Sequence, residues 1–142
     1  MNLRDVYDDV IRTEVLLWNA VDARLRATGD LGAGSLDVLR VIERTPECRV
    51  QEVADTLAIT VGGASQAVDR LERRGLCARH PNPRNRRSSV LTLTEAGRTA
   101  LEEALAVFDA ELRTRLGDAL TEHQLAALAD ALRTLRASLA AG

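Results

Sequence analysis

With 142 residues, 46% hydrophobic but only 2% aromatic, the chain has the size of one ordinary domain whose core Leu, Val and Ala must fill, which favours helices over a β-sandwich. No apolar run is long enough to span a bilayer, and the start MNLRDVYDD carries acids where a signal peptide needs bases, so a cytoplasmic protein is expected. The net charge of −2 hides an uneven distribution: Arg70 to Arg87 holds seven arginines against the single acid Glu72, or +6, leaving −8 for the rest.

From Leu3 to about Ala27, Leu3, Val6, Val10, Leu17, Val21 and Leu25 recur at helical spacing. Gly29, Gly32 and Gly34 are expected to end this helix in a loop, with Ser35 capping a second helix that buries Leu36, Leu39, Val41 and Ile42 until Thr45-Pro46. Cys48-Arg49-Val50 reads as a short extended piece before a third helix carrying Val53, Ala54 and Leu57. Ala58-Ile59 make a turn, and Thr60 caps a fourth helix with Val61, Ala64, Val68 and Leu71 on its buried face. Gly75 stands where a helix C-terminus wants a left-handed residue. Leu76–His80 and Ser89–Leu93 read as two strands flanking the polar loop PNPRNRRS. Thr94 then opens a fifth helix running to about Leu116, Gly117-Asp118 interrupt it, and Thr121 caps a sixth. In that last helix Leu125, Leu128, Leu132, Leu135 and Leu139 alternate spacings of three and four, an apolar seam for another helix.

This order predicts a mainly α fold with a small β-hairpin wing, that is, a winged helix-turn-helix. Residues 35–97 would form the nucleic-acid-reading part, and 1–30 with 98–142 a helical dimerisation region. The terminal helices are expected to pack together and against a second copy, through Leu3, Val6, Val10 and the leucine seam. A helix able to enter a groove, followed by an arginine-bearing loop able to reach the next, fits double-stranded DNA.

On the fourth helix, Ser65 and Gln66 are the candidate base readers, because Gln bonds adenine in bidentate fashion and Ser serves either base. Thr60 caps and can touch a phosphate. Arg70 and Arg73 are assigned to phosphate, with pairing to Asp69 or Glu72 as the alternative. Arg84 and Arg86 are suited to a narrow minor groove, and Arg87 to phosphate or to bracing the hairpin. All 19 basic residues are arginine, which suits bidentate contacts. His80 and His123 have no metal-like spacing, no Ser-His-Asp or glycine-rich phosphate loop is present, and neither an enzyme nor a cofactor is expected.

Two runs make the reading specific. Val68-Asp69-Arg70-Leu71-Glu72 with Gly75-Leu76, and Arg86, Arg87, Leu93, Thr94 and Gly97, together resemble the MarR (multiple antibiotic resistance regulator) family of bacterial transcription factors. The resemblance implies a homodimeric regulator, a repressor more often than an activator, on a pseudo-palindromic operator. It also implies a small-molecule ligand between the dimer helices and the reading head, where Trp18 is the candidate lining residue. Two departures stand out. Asn85 replaces the family's usual acid, which points to a wing held by neutral hydrogen bonds or a looser one. Gly62-Gly63 open the fourth helix, either to let backbone approach DNA or as a tolerated weakness of a first turn. Cys48 and Cys77 read by default as small buried hydrophobes. Because some relatives sense oxidants through cysteine, an oxidant sensor using Cys48 or Cys77, with Arg49 and Arg79 lowering the thiol pKa if it is exposed, is one alternative. A winged protein-interaction module without specific DNA binding is the other.

Overall fold

The computed structural model describes residues 1–142. In chain order it contains α1 (Leu3–Thr28), α2 (Ala33–Arg44), α3 (Val50–Leu57), α4 (Val61–Arg73), β1 (Cys77–Pro81), β2 (Ser89–Leu93), α5 (Glu95–Leu112), a π-helical turn (Arg113–Gly117) and α6 (Glu122–Ala141). The fold is mainly helical with one antiparallel hairpin, in which Cys77 faces Leu93 and Pro81 faces Ser89.

Helices α2, α3 and α4 pack around Leu36, Leu39, Val53, Val68 and Leu71, all essentially without exposure. Leu91 and Leu93, alternating on β2, extend this core under the wing, while Val21 and Leu25 of α1 and Leu101 of α5 close it from the other side. A third extended segment supports the hairpin, because the Leu91 amide donates to the carbonyl of Cys48 at 2.6 Å. Val50, expected there, instead begins α3: Glu52 accepts from the Arg49 amide and guanidinium and fixes the helix start at that point.

Local chemistry sets most boundaries. Thr60, Thr94 and Thr121 each accept, through the side-chain oxygen, from the amide three residues on, satisfying donors the first helical turn leaves free. Gly75, at φ +74°, closes α4: its amide donates to Glu72 O and that of Leu76 to Leu71 O. Leu76 is consumed in this cap, so β1 starts one residue later than the pattern suggests.

The start of α2 departs from expectation. Ser35 is not its cap, and Gly34 lies inside the helix rather than in a loop. The cap residue is Gly32, and the acceptor comes from elsewhere: Asp22 Oδ1 on α1 takes the Ala33 amide at 2.9 Å while Oδ2 takes Arg26 Nε at 2.9 Å. A side chain at Gly32 would crowd this group, since a Cβ there would sit 2.7 Å from Asp22 Oδ1. The Ala33 amide first, and Arg26 second, hold the Asp22 carboxyl below its ordinary pKa. A carboxyl depressed by folding adds stability above its unfolded pKa, near 4, and loses it as pH falls through the folded value. Asp22→Ala is therefore expected to cost about 1 kcal/mol at pH 7. The penalty should shrink below pH 4, as read by urea denaturation at several pH values; a pH-independent penalty would rule out this origin.

Val61 is a second correction. It is 48% exposed because the first turn of α4 projects past its neighbours, where a Cβ on Gly62 also meets nothing within 4 Å. The helices from the two chain ends pack together as expected through α1 and α5, but α6 does not join them. α1 packs on α5 and α2, whereas α6 makes its main contacts with the π turn and buries no residue. The first half of α1 is exposed, including Leu3, Val6 and Val10, and Leu128, Leu132, Leu135 and Leu139 on α6 are 40–72% exposed; Leu125 is half-buried.

Candidate nucleic-acid interface

The outward face of α4 begins at its cap. Thr60, Gly62, Gly63 and Gln66 are exposed and Ser65 half-buried, so the small residues and the amide share the protruding first turns. Arg70 and Arg73 follow, exposed and without an ion pair. The acids that were candidates to bind them are taken by another residue. Arg79 on β1 places Nη1 2.7 Å from Asp69 Oδ1 and 3.1 Å from Glu72 Oε1, and its amide donates to Glu72 Oε2 at 3.2 Å. The wing strand is thereby clamped to α4. One of the seven arginines of the basic segment serves as this brace, and its neighbours on α4 are left free for an external anion.

The wing tip is built from two asparagine turns. Asn82 Oδ1 accepts from the Arg84 amide and Asn85 Oδ1 from the Arg87 amide, both at 3.0 Å, while Asn82 Nδ2 donates to Ser88 Oγ at 2.9 Å. Asn85 thus holds the loop through neutral bonds, one of the two outcomes its substitution for an acid suggests. Arg84, Arg86 and Arg87 all point into solvent. Arg84 has one distant partner, Glu47 at 3.8 Å, with both side chains more than two-thirds exposed, a pairing of little energetic weight. For Arg87 it is the amide, not the guanidinium, that braces the hairpin. Asn82 and Ser88 were not singled out from sequence; the spacing Asn-x-Arg, repeated at 82–84 and 85–87, is the signal that marks them.

Trp18 is 43% exposed and lines a cleft of about 630 Å³. The cleft also takes Asp37 and Val38 from α2, Ile59 from the turn and Ala67 and Arg70 from α4. It therefore lies between α1 and the reading head.

The cysteines sit apart from this surface. Cys48 has no exposure, and burial, helped by Glu52, pushes its thiol up to about 11. Cys77 is buried too, and burial followed by Glu72 raises its pKa against the pull of Arg79. Arg49 and Arg79 would lower a thiol only if it were exposed; both thiols are buried, and burial outweighs the pull of Arg79 on Cys77. Both thiols are held in the unreactive, protonated form. His80 Nε2 lies 2.8 Å from Thr92 Oγ1 on the hairpin, and His123 is exposed on α6. No helix is long and apolar enough to cross a membrane.

A helix-turn-helix with a free polar edge, joined by a carboxylate clamp to an arginine-tipped hairpin, defines a winged-helix DNA-binding protein. Residues 30–88, which span α2 to the wing tip, match the model of the MarR family. Over that segment the chain is similar to that family of transcriptional regulators, and solved structures of the same family share its fold. Among solved structures, it is 25% identical to Sco3205, a MarR family transcriptional regulator from Streptomyces coelicolor in complex with DNA. That match has a TM-score of 0.88 and covers 96% of this chain and 86% of that one. It is 28% identical to CouR from Rhodococcus jostii RHA1 bound to p-coumaroyl-CoA, with a TM-score of 0.80 and coverage of 92% and 91%. CouR, described as a transcriptional repressor, is also solved on a 23-mer DNA duplex. An uncharacterised helix-turn-helix regulator of Bacillus subtilis, YwhA, is 29% identical over 60% of this chain and 58% of its own length. The chain spans between half and three-fifths of the first curated relatives it matches.

Proposed function

We propose that the protein is a homodimeric repressor that binds a pseudo-palindromic operator, with half-sites about one helical turn apart, and is released by a small molecule. The observation that carries the DNA reading is the set of unpaired guanidiniums, Arg70, Arg73, Arg86 and Arg87, around the polar edge of Ser65 and Gln66. Asp69 and Glu72, the acids beside Arg70 and Arg73 on α4, are already spent on Arg79. Residues 35–97 make the reading head, and 1–30 with 98–142 the dimerisation region. Support for the dimer comes from the exposed seam of Leu128, Leu132, Leu135 and Leu139, together with Leu3, Val6 and Val10, which single-chain packing leaves bare. Support for repression and for an effector comes from likeness to CouR, a repressor solved with p-coumaroyl-CoA, and from the Trp18 cleft between α1 and α4. The buried, protonated thiols tell against an oxidant sensor, and the unpaired arginines against a protein-interaction module.

Footprinting of the DNA flanking its own gene, with sedimentation of the free protein, tests this reading. A dimer protecting two half-sites is expected; no preference over random duplex at moderate salt would overturn it. Gly62→Ala separates the two roles of the paired glycines. With open space at Cβ, it should stabilise the fold by up to about 1 kcal/mol in thermal denaturation. Weaker operator binding by that stabler variant is the expected result if backbone meets DNA there, and unchanged binding would reduce the glycines to a tolerated weakness.

A further inference from the structure

The chain has three aromatic residues, Tyr7, Trp18 and Phe108. Two of them, Trp18 on α1 and Phe108 on α5, line one cavity of about 230 Å³ with Leu17 and Val21. The charged groups lining that cavity are both acids, Glu14 and Asp37, and both continue into the larger cleft against the recognition helix. Glu14 is exposed and has no ion pair. Asp37 is half-buried and forms a loose ion pair with Arg40 one turn on, at 3.6 Å, with no hydrogen bond between them. The same Arg40 also lies over the Phe108 ring, 5.2 Å from its centroid, so its charge is divided between the two. Burial raises the Asp37 pKa, and Arg40 and Arg44 only partly counter it. In the larger cleft, Arg26 is held by Asp22 and Arg70 sits at the far wall on α4. The cavity is therefore lined by two carboxylates, one of them sharing the guanidinium of Arg40.

We propose that this cavity binds a small hydrophobic organic cation, an aryl- or alkylammonium, with its charge between Asp37, Glu14 and the aromatic faces and its hydrocarbon against Leu17 and Val21. The inference rests on the effector-responsive reading given above and names the chemical class of the effector. Ring faces attract cations, and the attraction grows where water is excluded. Arg40 on Phe108 is the protein's own instance of that contact. An anionic aromatic entering the same space would meet two carboxylates first.

Trp18 is the only tryptophan, so its fluorescence reports the cavity directly. Three probes of similar size are titrated into the full chain without DNA: phenyltrimethylammonium, its neutral isostere tert-butylbenzene, and benzoate. Saturable binding of the cation, about tenfold tighter than the neutral probe, is expected, with benzoate weaker than both. Asp37→Asn and, separately, Glu14→Gln should each reduce the preference for the cation and leave tert-butylbenzene binding and circular dichroism unchanged. Benzoate binding as tightly as the cation, or no saturable response to the cation, overturns the proposal. Footprinting with the same preparations keeps the readings apart: operator protection without cation binding defeats this inference alone, and absence of protection defeats the regulator reading.

Discussion

Gly97→Ala is expected to be the most destabilising small substitution in the chain, lowering stability by about 3 kcal/mol and the melting temperature by roughly 10 °C. Gly97 is buried in the first turn of α5, where its amide donates to Thr94 Oγ1 at 3.0 Å. A Cβ there would land on the carbonyl oxygen of Leu76, with the carbonyl carbon 2.9 Å away. The obstacle is backbone, and that backbone is fixed twice: Leu76 O accepts the Thr94 amide, and Thr94 Oγ1 donates to Gly75 O at 2.6 Å. Neither side can yield without parting the end of α4 from the start of α5. Gly34→Ala is the control, because it too lies in a helix but its Cβ would meet nothing within 4 Å. That variant should be neutral or slightly stabilising. Equal denaturation midpoints for the two variants would show that the close approach at Leu76 carries no weight.

That contact also shows why some of the fold was legible in the residues and some was not. The helix caps at Thr60, Thr94 and Thr121 and the left-handed Gly75 depend on groups within five positions, so the local pattern exposes them. The cap of α2 depends on Asp22, eleven residues upstream of Ala33, and a local reading turns to Ser35 instead. Val61 continues the apolar stripe of α4, but a stripe does not reveal where the neighbouring helix ends. The same distinction divides the site. The residues proposed to face DNA lie within one stretch, Thr60 to Arg87, and could be read in order. The brace made by Arg79 joins residues seven and ten positions apart across two elements, so sequence left Asp69 and Glu72 as partners for Arg70 or Arg73. The Trp18 cleft gathers residues from α1, α2, the turn and α4, and only Trp18 itself was visible beforehand.

Replacing Arg84, Arg86 and Arg87 together by Gln is expected to weaken DNA binding by about 100-fold or more at physiological salt, on cognate and random duplex alike. The tip itself should survive, because the bonds that shape it come from Asn82, Asn85, Ser88 and backbone amides, not from the guanidiniums. The loss is thus electrostatic and shows itself in the salt dependence. Each phosphate contact removed lowers the slope of log affinity against log salt by about 0.9. Three arginines on one reading head would reduce the slope by roughly 3, and on two heads by roughly 5. The size of the change therefore counts reading heads on the DNA as well as testing the wing. Gln66→Ala should behave differently: a loss of about 1–3 kcal/mol confined to the base pair it reads, with the slope unchanged. If the wing variant altered sequence preference at a single base pair, or Gln66→Ala weakened every duplex equally, the division between an arginine wing that attracts and a polar helix edge that reads would be wrong. A slope change near 3 would keep that division and remove the dimer from the operator complex.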